Sequence, residues 1–433
     1  MSGVIDVGVV GAGPAGLAAA LAATDLGCEV TLIDTGHGPG GQRYHQSLRF
    51  PGRRPAGQAA PDHLPPGLAR IRQVQLGRYL AATTVSRAER GPDGVITLWV
   101  GGPEGGAETT VEVRTVVLAP GSAELVLPFP GWDLPGVTAA GAAQALLRGQ
   151  GVTVGRRALV AGSGPRLFPV AAELAEAGVD VVAVLEARAG AEAGREQVPR
   201  SEQVPVRAGS AVVACEGSDR VERAVIAELD EDWRPVPGSH RVVAVDAVHL
   251  SFGFAPRLEV PRALGCAEGQ DPSWPAAAVA CGDDLGTSVP GVFAAGEVTG
   301  VGGADAAQWQ GDLAGASAAR YLGRLDPAAY EARTRAPRTR LADAARGATW
   351  NDEPRPLPPG WLDWLDPGTV VCRCQETRWA EIGAAIAGGA RDLGAVAAVT
   401  GAGTGYCQGR VCGPALRSAI SAAVSAAPVG DSA

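Results

Sequence analysis

"VIDVGVVGAGPAGLAAALAATDLGCEVTLID", residues 4–34, decides how the rest of the chain is read. An apolar run, VIDVGVV, meets a glycine turn, then a helical run of alanine and leucine, then a second apolar run ending in Asp34. The order is strand, tight turn, helix, strand. Gly11 permits the turn, Gly13 lets a pyrophosphate approach the backbone, and Gly16 allows helix and strand to pack closely, with Ala15 beside it in the first helical turn. The phosphates then face the positive end of the helix. Asp34 stands eighteen residues after Gly16, where a carboxylate accepts the hydroxyls of a ribose. The unit predicts a dinucleotide site.

Three further stretches bear on which dinucleotide. "GPGGQRY" follows Asp34 and offers Gly41, Gln42 and Arg43 to a diphosphate or a flavin. "TVVLAPGS" (115–122) is an apolar strand that turns at Gly121. "SVPGVFAAGEVTGVGGAD" (288–305) runs from a strand through Gly296 and Glu297 to a glycine loop and a helix that begins near Gly303. A carboxylate at a strand end before a helix N-terminus suits a ribityl hydroxyl and a flavin edge. Val85, on the hairpin 79–102 around the turn GPDG, is a further candidate contact. Together these segments resemble the two-dinucleotide-binding flavoproteins, which implies FAD held by early and late segments at once. That group usually carries Asp where Glu297 stands and Thr where Pro120 stands.

The pattern recurs in "ALVAGSGPRLFPVAAELAEAGVDVVAVLE" (158–186). Gly162 and Gly164 match the first two glycines, Leu167 replaces the third, and Glu186 ends the second strand. A leucine there pushes helix from strand. Glu186 favours a free 2′-hydroxyl, so NAD(H) or an adenosine nucleotide rather than NADP(H); the other reading is a Rossmann unit with an empty or structural site. No Cys-x-x-Cys lies in either half, which argues against a thioredoxin-reductase-type dithiol relay. A strand-rich stretch from Ser210 to Leu250 follows, and "HLSFGFAPRLEV" (249–260) returns the chain to the first domain.

Composition narrows the chemistry. With 433 residues and 46% hydrophobic content, the chain is long enough for several buried cores. It contains no lysine, which excludes a lysine Schiff base and pyridoxal phosphate catalysis. A net charge of -9 without a basic block argues against nucleic acid or an anionic membrane as main partner. The opening residues lack the pattern of a signal peptide, and no apolar run reaches membrane-spanning length, so a cytoplasmic location is expected. The five histidines are scattered, and no acid/base or nucleophile constellation appears, so no catalytic residue is assigned. His45, just past Gly41 and Gln42, is the one histidine placed near a flavin.

Of eight cysteines, four cluster at the end: Cys372 and Cys374, thirty-two residues, then Cys407 and Cys412 in "GYCQGRVCG". Thr377 can cap one helix, Asp392 a second, and Pro414 opens a third, so each pair precedes a helix. Four thiolates in loops rich in N–H donors suit an anionic iron–sulfur cluster; tetrahedral Zn²⁺ is the alternative, and a bare or disulfide-bonded relic the third. The spacing resembles bacterioferritin-associated-ferredoxin-like 2Fe–2S domains in the variant fused to flavoproteins.

"LPFPGWDLPGVTAAGAAQALL" (127–147), "AGSGP", "SVPGVFAAGEVTG" and "CQGRVCG" extend the likeness over nearly the whole chain. It resembles the FAD-containing α subunits of hydrogen cyanide synthase, opine oxidases and hydroxyproline or proline dehydrogenases. Pro120 and Leu125 depart from the Thr and Arg usual in that group. The resemblance implies an α/β, two-dinucleotide-binding flavoprotein fold with a small C-terminal helical cysteine-cluster domain. It also implies a substrate-oxidising flavoprotein partner in a hetero-oligomer. This chain would then relay electrons between FAD and the cluster within an amine or amino-acid dehydrogenase. A self-contained NADH-dependent reductase is the second reading, and a scaffold holding nucleotide and zinc structurally is the third. The expected domains are 1–150 with 285–325 for FAD, 151–284 for the second nucleotide unit, a linker over 326–367, and 368–425 for the cluster.

Overall fold

The computed structural model describes residues 3–44, 78–102, 108–190, 204–269, 277–300, 302–347 and 357–426. The chain forms two units, one of residues 1–122, 256–271 and 276–353, the other of residues 123–255, 272–275 and 354–433.

The first unit opens with β1 (Ile5–Val10), α1 (Pro14–Asp25) and β2 (Val30–Ile33). Both strands are apolar almost throughout because parallel strands are covered on both faces. β1 lies between β2 and β6 (Thr109–Leu118), parallel to each, and β3 (Arg78–Leu80) extends the sheet beyond β2. β4 (Thr84–Arg90) and β5 (Ile96–Gly101) form the expected antiparallel hairpin, and β5 pairs with β6. Gly91 and Asp93 close its turn: Gly91 N–H donates to the Val95 carbonyl (2.8 Å) and Val95 N–H to Asp93 (3.1 Å).

β7 (Ser122–Glu124) carries the chain into the second unit. There β8 (Val137–Ala139), α2 (Ala140–Gln150), β9 (Arg157–Gly162), α3 (Leu167–Glu176), β10 (Asp180–Glu186) and β11 (Val206–Ala208) follow. β12 (Ser210–Glu216), β13 (Arg223–Glu228) and β14 (Arg241–Ala244) make an antiparallel meander. β15 (Ala247–Ser251) then enters a parallel sheet of order β11-β10-β9-β15-β8. Residues 123–150 therefore differ from the expected boundary at 150. β8 pairs with β15, and Ala140 and Leu147 of α2 bury against Leu167 and Phe168 of α3.

After β16 (Phe254–Pro256) come α4 (Glu259–Ala263), β17 (Glu268–Gly269), β18 (Ala278–Val279) and β19 (Val292–Ala294). β19 lies parallel to the C-terminal end of β6. α5 (Gly303–Tyr321) then packs on α1 so closely that a Cβ at Gly311 would sit 2.0 Å from the Ala15 carbonyl. The stretch after Leu325, expected to be a linker, is instead the helix α6 (Pro327–Gly347), which lies against α5. Tyr330 is wholly buried, its hydroxyl 2.8 Å from Ser317, and Arg333 pairs with Asp312.

The other end of that supposed linker is core as well. In the second unit Trp361 and Trp364, on a 3-10 turn over Pro359–Trp364, join the cluster that holds Trp132, Trp233 and Phe252. Trp364 donates its indole N–H to the Trp233 carbonyl (2.9 Å). β20 (Val370–Cys372), β21 (Thr377–Arg378), α7 (Trp379–Ala387), α8 (Leu393–Thr400) and α9 (Gly413–Ala426) complete the unit. Asp392 caps α8 by accepting from Ala395 N–H (2.8 Å), and Pro414 lies in the first turn of α9. Thr377 does not cap α7. It sits in β21, and the helix N-cap is Arg378 with no side-chain bond. Among the described residues no helix is long and apolar enough to cross a membrane.

Candidate functional site

In the first unit the glycine loop divides its labour residue by residue. Gly11 has φ +102°, and a Cβ there would lie 2.1 Å from the Ala119 carbonyl oxygen, so only glycine lets β1 leave the sheet at that point. A Cβ at Gly16 would lie 1.7 Å from the Gly11 carbonyl oxygen. At Gly13, by contrast, a Cβ meets no atom within 4 Å, which leaves an open place at the N-terminus of α1. Gly41 closes one side of it, its own Cβ position 2.8 Å from the Gly13 Cα, and Gly40 N–H donates to the Ala12 carbonyl (2.7 Å). Gln42 and Arg43 follow on the surface, with the Arg43 guanidinium over the Tyr44 ring at 5.7 Å.

Asp34 accepts from Ala12 N–H and Gly36 N–H, both at 2.6 Å. Burial raises its pKa above the ordinary carboxylate value, against those two donors and Arg257. Thr83 N–H donates to the Asp34 carbonyl (2.9 Å), so β4 and Val85 begin beside this carboxylate, although the Val85 side chain packs against the sheet core. The late segment joins the same place. Gly296, at φ +81°, packs over Ala15 with its Cβ position 2.8 Å from that methyl, and its N–H donates to Gln310 (2.8 Å). Glu297 follows on a 3-10 turn, its carboxylate accepting from Ser122, just past Gly121 at φ +72°. Gly303 starts α5 at φ +77° with open space where a Cβ would lie. The structure thus assembles Gly11, Gly13, Ala15, Gly16, Asp34, Gly41, Gly296 and Glu297. Sequence reading missed Ser122 and Gln310, which fix Glu297 and Gly296: Ser122 ends the stretch TVVLAPGS but was not singled out, and Gln310 lies within the helix that follows the glycine loop. His45 lies outside the described residues.

The second loop, wholly within the second unit, has the same topology and a different interior. Gly162 has φ +146° and abuts the Ser251 carbonyl, the counterpart of Gly11, while Gly164 at φ +117° faces open space. α3 begins at Leu167, five residues past Gly162, whereas α1 begins three residues past Gly11. Leu167 is buried, so its side chain occupies the place where the third glycine would bring helix and strand together. Glu186 is 0% exposed. It accepts from Gly164 N–H (2.8 Å) and Arg188 N–H (3.1 Å), and the Arg188 guanidinium pairs with it at 3.1 Å. The carboxylate expected to meet a ribose thus already has an internal counter-ion.

The four clustered cysteines come together around the loop before α9. They meet as two pairs, Cys374 with Cys407 and Cys372 with Cys412. Gly405 brings this about, since a Cβ there would lie 2.3 Å from that of Cys374. Burial opposes ionisation of Cys407, but backbone N–H groups of Val411, Gly409 and Arg410, together with the Cys374 thiol, take it below its ordinary value. Gly403 N–H points at the Cys372 sulfur (3.5 Å). Burial and the neighbouring Cys372 and Cys407 raise Cys412. Two thiol pairs ringed by amide donors fit a cluster of two irons, each taking two thiolates, with N–H···S bonds offsetting its charge. This loop rests on the rest of its unit through Trp132, whose indole donates to the Val370 carbonyl and whose ring lies 4.0 Å under the Arg373 guanidinium.

Comparison with known proteins agrees with this geometry. Residues 5–311 match the family of pyridine nucleotide-disulphide oxidoreductases, and residues 370–422 match a BFD-like [2Fe-2S] binding domain. One of the opine oxidase subunits of Rhizobium meliloti is 30% identical, covering 94% of this chain and 80% of its own length. The HcnB subunit of hydrogen cyanide synthase from Pseudomonas aeruginosa is 29% identical, over 93% of this chain and 90% of its own. L-proline dehydrogenase from P. horikoshii shares the fold with a TM-score of 0.70 over 97% of this chain and 74% of its own, at 20% identity. Its fold, its FAD cradle and its paired thiols place this chain in the pyridine nucleotide-disulphide oxidoreductase family, as an FAD-dependent oxidoreductase that ends in a BFD-like 2Fe–2S domain.

Proposed function

We propose that this chain is the electron-transfer subunit of a multi-subunit dehydrogenase or oxidase acting on an amine or amino acid of imino-acid or opine type. The carrying observation is that one chain holds both an FAD cradle and four paired thiols, and is similar along nearly its whole length to proteins that are themselves subunits. FAD would supply acceptance of two electrons at once, as a hydride, and a 2Fe–2S centre would pass electrons singly, so the two together convert a two-electron step into one-electron steps. The residues have separate tasks. Gly13 leaves room for the diphosphate at the α1 N-terminus, with Gln42 and Arg43 beside it. Asp34 accepts ribose hydroxyls, and Glu297, steadied by Ser122, serves the ribityl and flavin end with Gly121 and Gly303. Cys372, Cys374, Cys407 and Cys412 hold the cluster as thiolates.

A partner flavoprotein carries the substrate, in keeping with the absence of an acid/base constellation from this sequence. Thiols reserved for iron favour a reducing, cytoplasmic compartment. The self-contained NADH reductase ranks second, because Glu186 already has Arg188 as its partner; weak or structural nucleotide binding suits the second loop better. Purification together with the neighbouring gene product tests the proposal. The expected complex is yellow-brown, contains FAD, iron and labile sulfide, and is bleached by an amine or amino acid in a substrate screen. Flavin bleaching by NADH at rates matching turnover, in this chain alone, would overturn it.

A further inference from the structure

Two cysteines outside the cluster, Cys266 and Cys281, lie at the same end of one two-stranded ladder in the first unit. β17 and β18 pair antiparallel, Glu268 opposite Val279 and Gly269 opposite Ala278. One step outward Ala280 N–H donates to the Ala267 carbonyl (3.0 Å). Carried one residue further, the same register sets Cys266 opposite Cys281. Hydrogen-bonded and non-bonded pairs alternate along such a ladder, so this is a non-bonded position, where facing Cα atoms stand about 4.5 Å apart. A disulfide needs a Cα separation of about 4.4–6.8 Å. Both side chains belong to one apolar cluster with Leu264, Val279 and Val298, and Cys266 Sγ lies 3.6 Å from Thr287 Oγ1. Both are free thiols in this structure. The other two isolated cysteines, Cys28 and Cys215, have no cysteine across a strand pair among the described residues: Cys28 precedes β2, and Cys215 faces Ala224.

We infer that Cys266 and Cys281 form a modification site, an intrachain cross-strand disulfide made by a hydroperoxide. The more accessible Cys281 attacks the peroxide, giving a sulfenic acid and releasing water from hydrogen peroxide. The Cys266 thiol then displaces the hydroxyl as a second water. Two thiols thus lose two electrons and two protons, and one peroxide becomes two waters. Burial holds both thiols above their ordinary pKa, with Cys266 and Asp284 adding to the effect on Cys281, so the reaction is slow and favours small oxidants. The link ties a hairpin whose strand β18 packs against the turn that carries Glu297.

The test uses the full-length protein with its cofactors. It is treated with hydrogen peroxide, alkylated, digested without reduction, and read by mass spectrometry site by site, which separates this pair from any cluster thiols released by oxidation. The expected product is a dithiothreitol-reversible peptide joining Cys266 to Cys281, at least about tenfold more abundant than any link to Cys28 or Cys215, whose surroundings lack the required geometry. Cys281→Ser should abolish it and leave Cys266 alkylatable. Cys266 and Cys281 remaining separately alkylated, or linking only after denaturation, would overturn the inference.

Discussion

Gly13 and Gly16 lie three residues apart in one loop, and opposite outcomes are expected when each receives a side chain. At Gly16 the new methyl would stand 1.7 Å from the Gly11 carbonyl oxygen and 2.9 Å from its carbon. Ordinary contact requires α1 to retreat from β1 by more than about 1 Å, and overpacking of that kind costs about 3 kcal/mol, the upper end of its usual range. Gly13 has extended backbone (φ −74°, ψ −176°) that any residue adopts, with no atom within 4 Å of its Cβ position. Gly13→Val therefore costs the empty protein less than about 1 kcal/mol, the scale of an N-cap change. Its side chain instead fills the space open to the diphosphate. Losing one charge-assisted hydrogen bond there removes about 1.5–3 kcal/mol, at least about a tenfold drop in FAD affinity. Flavin released on denaturation gives the occupancy of each variant, and urea unfolding of the flavin-free proteins gives their stability. Gly13→Val should be folded and release less flavin than the parent, and Gly16→Ala should be destabilised before flavin is considered. A Gly13→Val protein carrying a full complement of FAD, or a Gly16→Ala apoprotein as stable as the parent, would refute the division of roles.

Cys407→Ser should remove the visible iron–sulfur absorption and the reduced-state EPR signal while FAD stays bound; stoichiometric zinc without iron or labile sulfide in anaerobically prepared parent protein would contradict the assignment. Ser122→Ala should leave the fold intact, shift the flavin absorption and weaken FAD by about tenfold, the worth of one charge-assisted hydrogen bond, and titration of apoprotein with FAD checks it. His249 is 0% exposed, and burial lowers its pKa to about 4 against weaker opposition from Asp246 and the Val154 backbone. Since the unfolded ring titrates near 6.5, the neutral ring's contribution is complete above that pH and is lost as pH falls towards 4, a difference of about 3 kcal/mol. Urea midpoints should fall over that window in the parent and much less in His249→Gln.

The glycine loops were legible because their requirement is local. A strand that must turn at once into a helix needs positive φ and a missing Cβ, and both show as letters at Gly11, Gly162 and Gly296. Asp392 and Pro414 were legible for the same reason, since a cap is decided within one turn. The stretch 326–367 was not. α6 carries five arginines and an internal Pro337, so its sequence reads as polar connector, and it holds its place through a few long-range contacts such as buried Tyr330. Trp361 and Trp364 sit in a proline-rich run whose composition suggests a surface strap. Tryptophans there were the available signal, because large aromatic groups in a polar stretch need a core to enter. The boundary near residue 150 failed for a related reason: β8 finds its partner, β15, more than a hundred residues later.

The two nucleotide loops show how little sequence separates a cradle from its replica. Asp34 and Glu186 each end a strand, and each accepts backbone N–H groups from its glycine loop and from the residue two places on. In the first loop that second residue is Gly36, which gives an amide and nothing more. In the second it is Arg188, which gives the same amide and a guanidinium besides. A ribose hydroxyl approaching Glu186 must compete with a guanidinium hydrogen-bonded to the carboxylate, whereas the hydrogen bonds Asp34 accepts come from neutral amides, and charge-assisted bonds are roughly twice as strong. Leu167 acts in the same direction, since it delays the helix N-terminus that would receive the phosphates. Two substitutions therefore leave the parallel sheet intact while favouring the weak or structural nucleotide binding proposed for this loop. A flavin that is not reduced through its own chain must be reduced from elsewhere. With four thiols able to hold a centre that passes electrons onward one at a time, and relatives that are themselves subunits, that requirement is the physical basis of the proposed place of this chain in a complex.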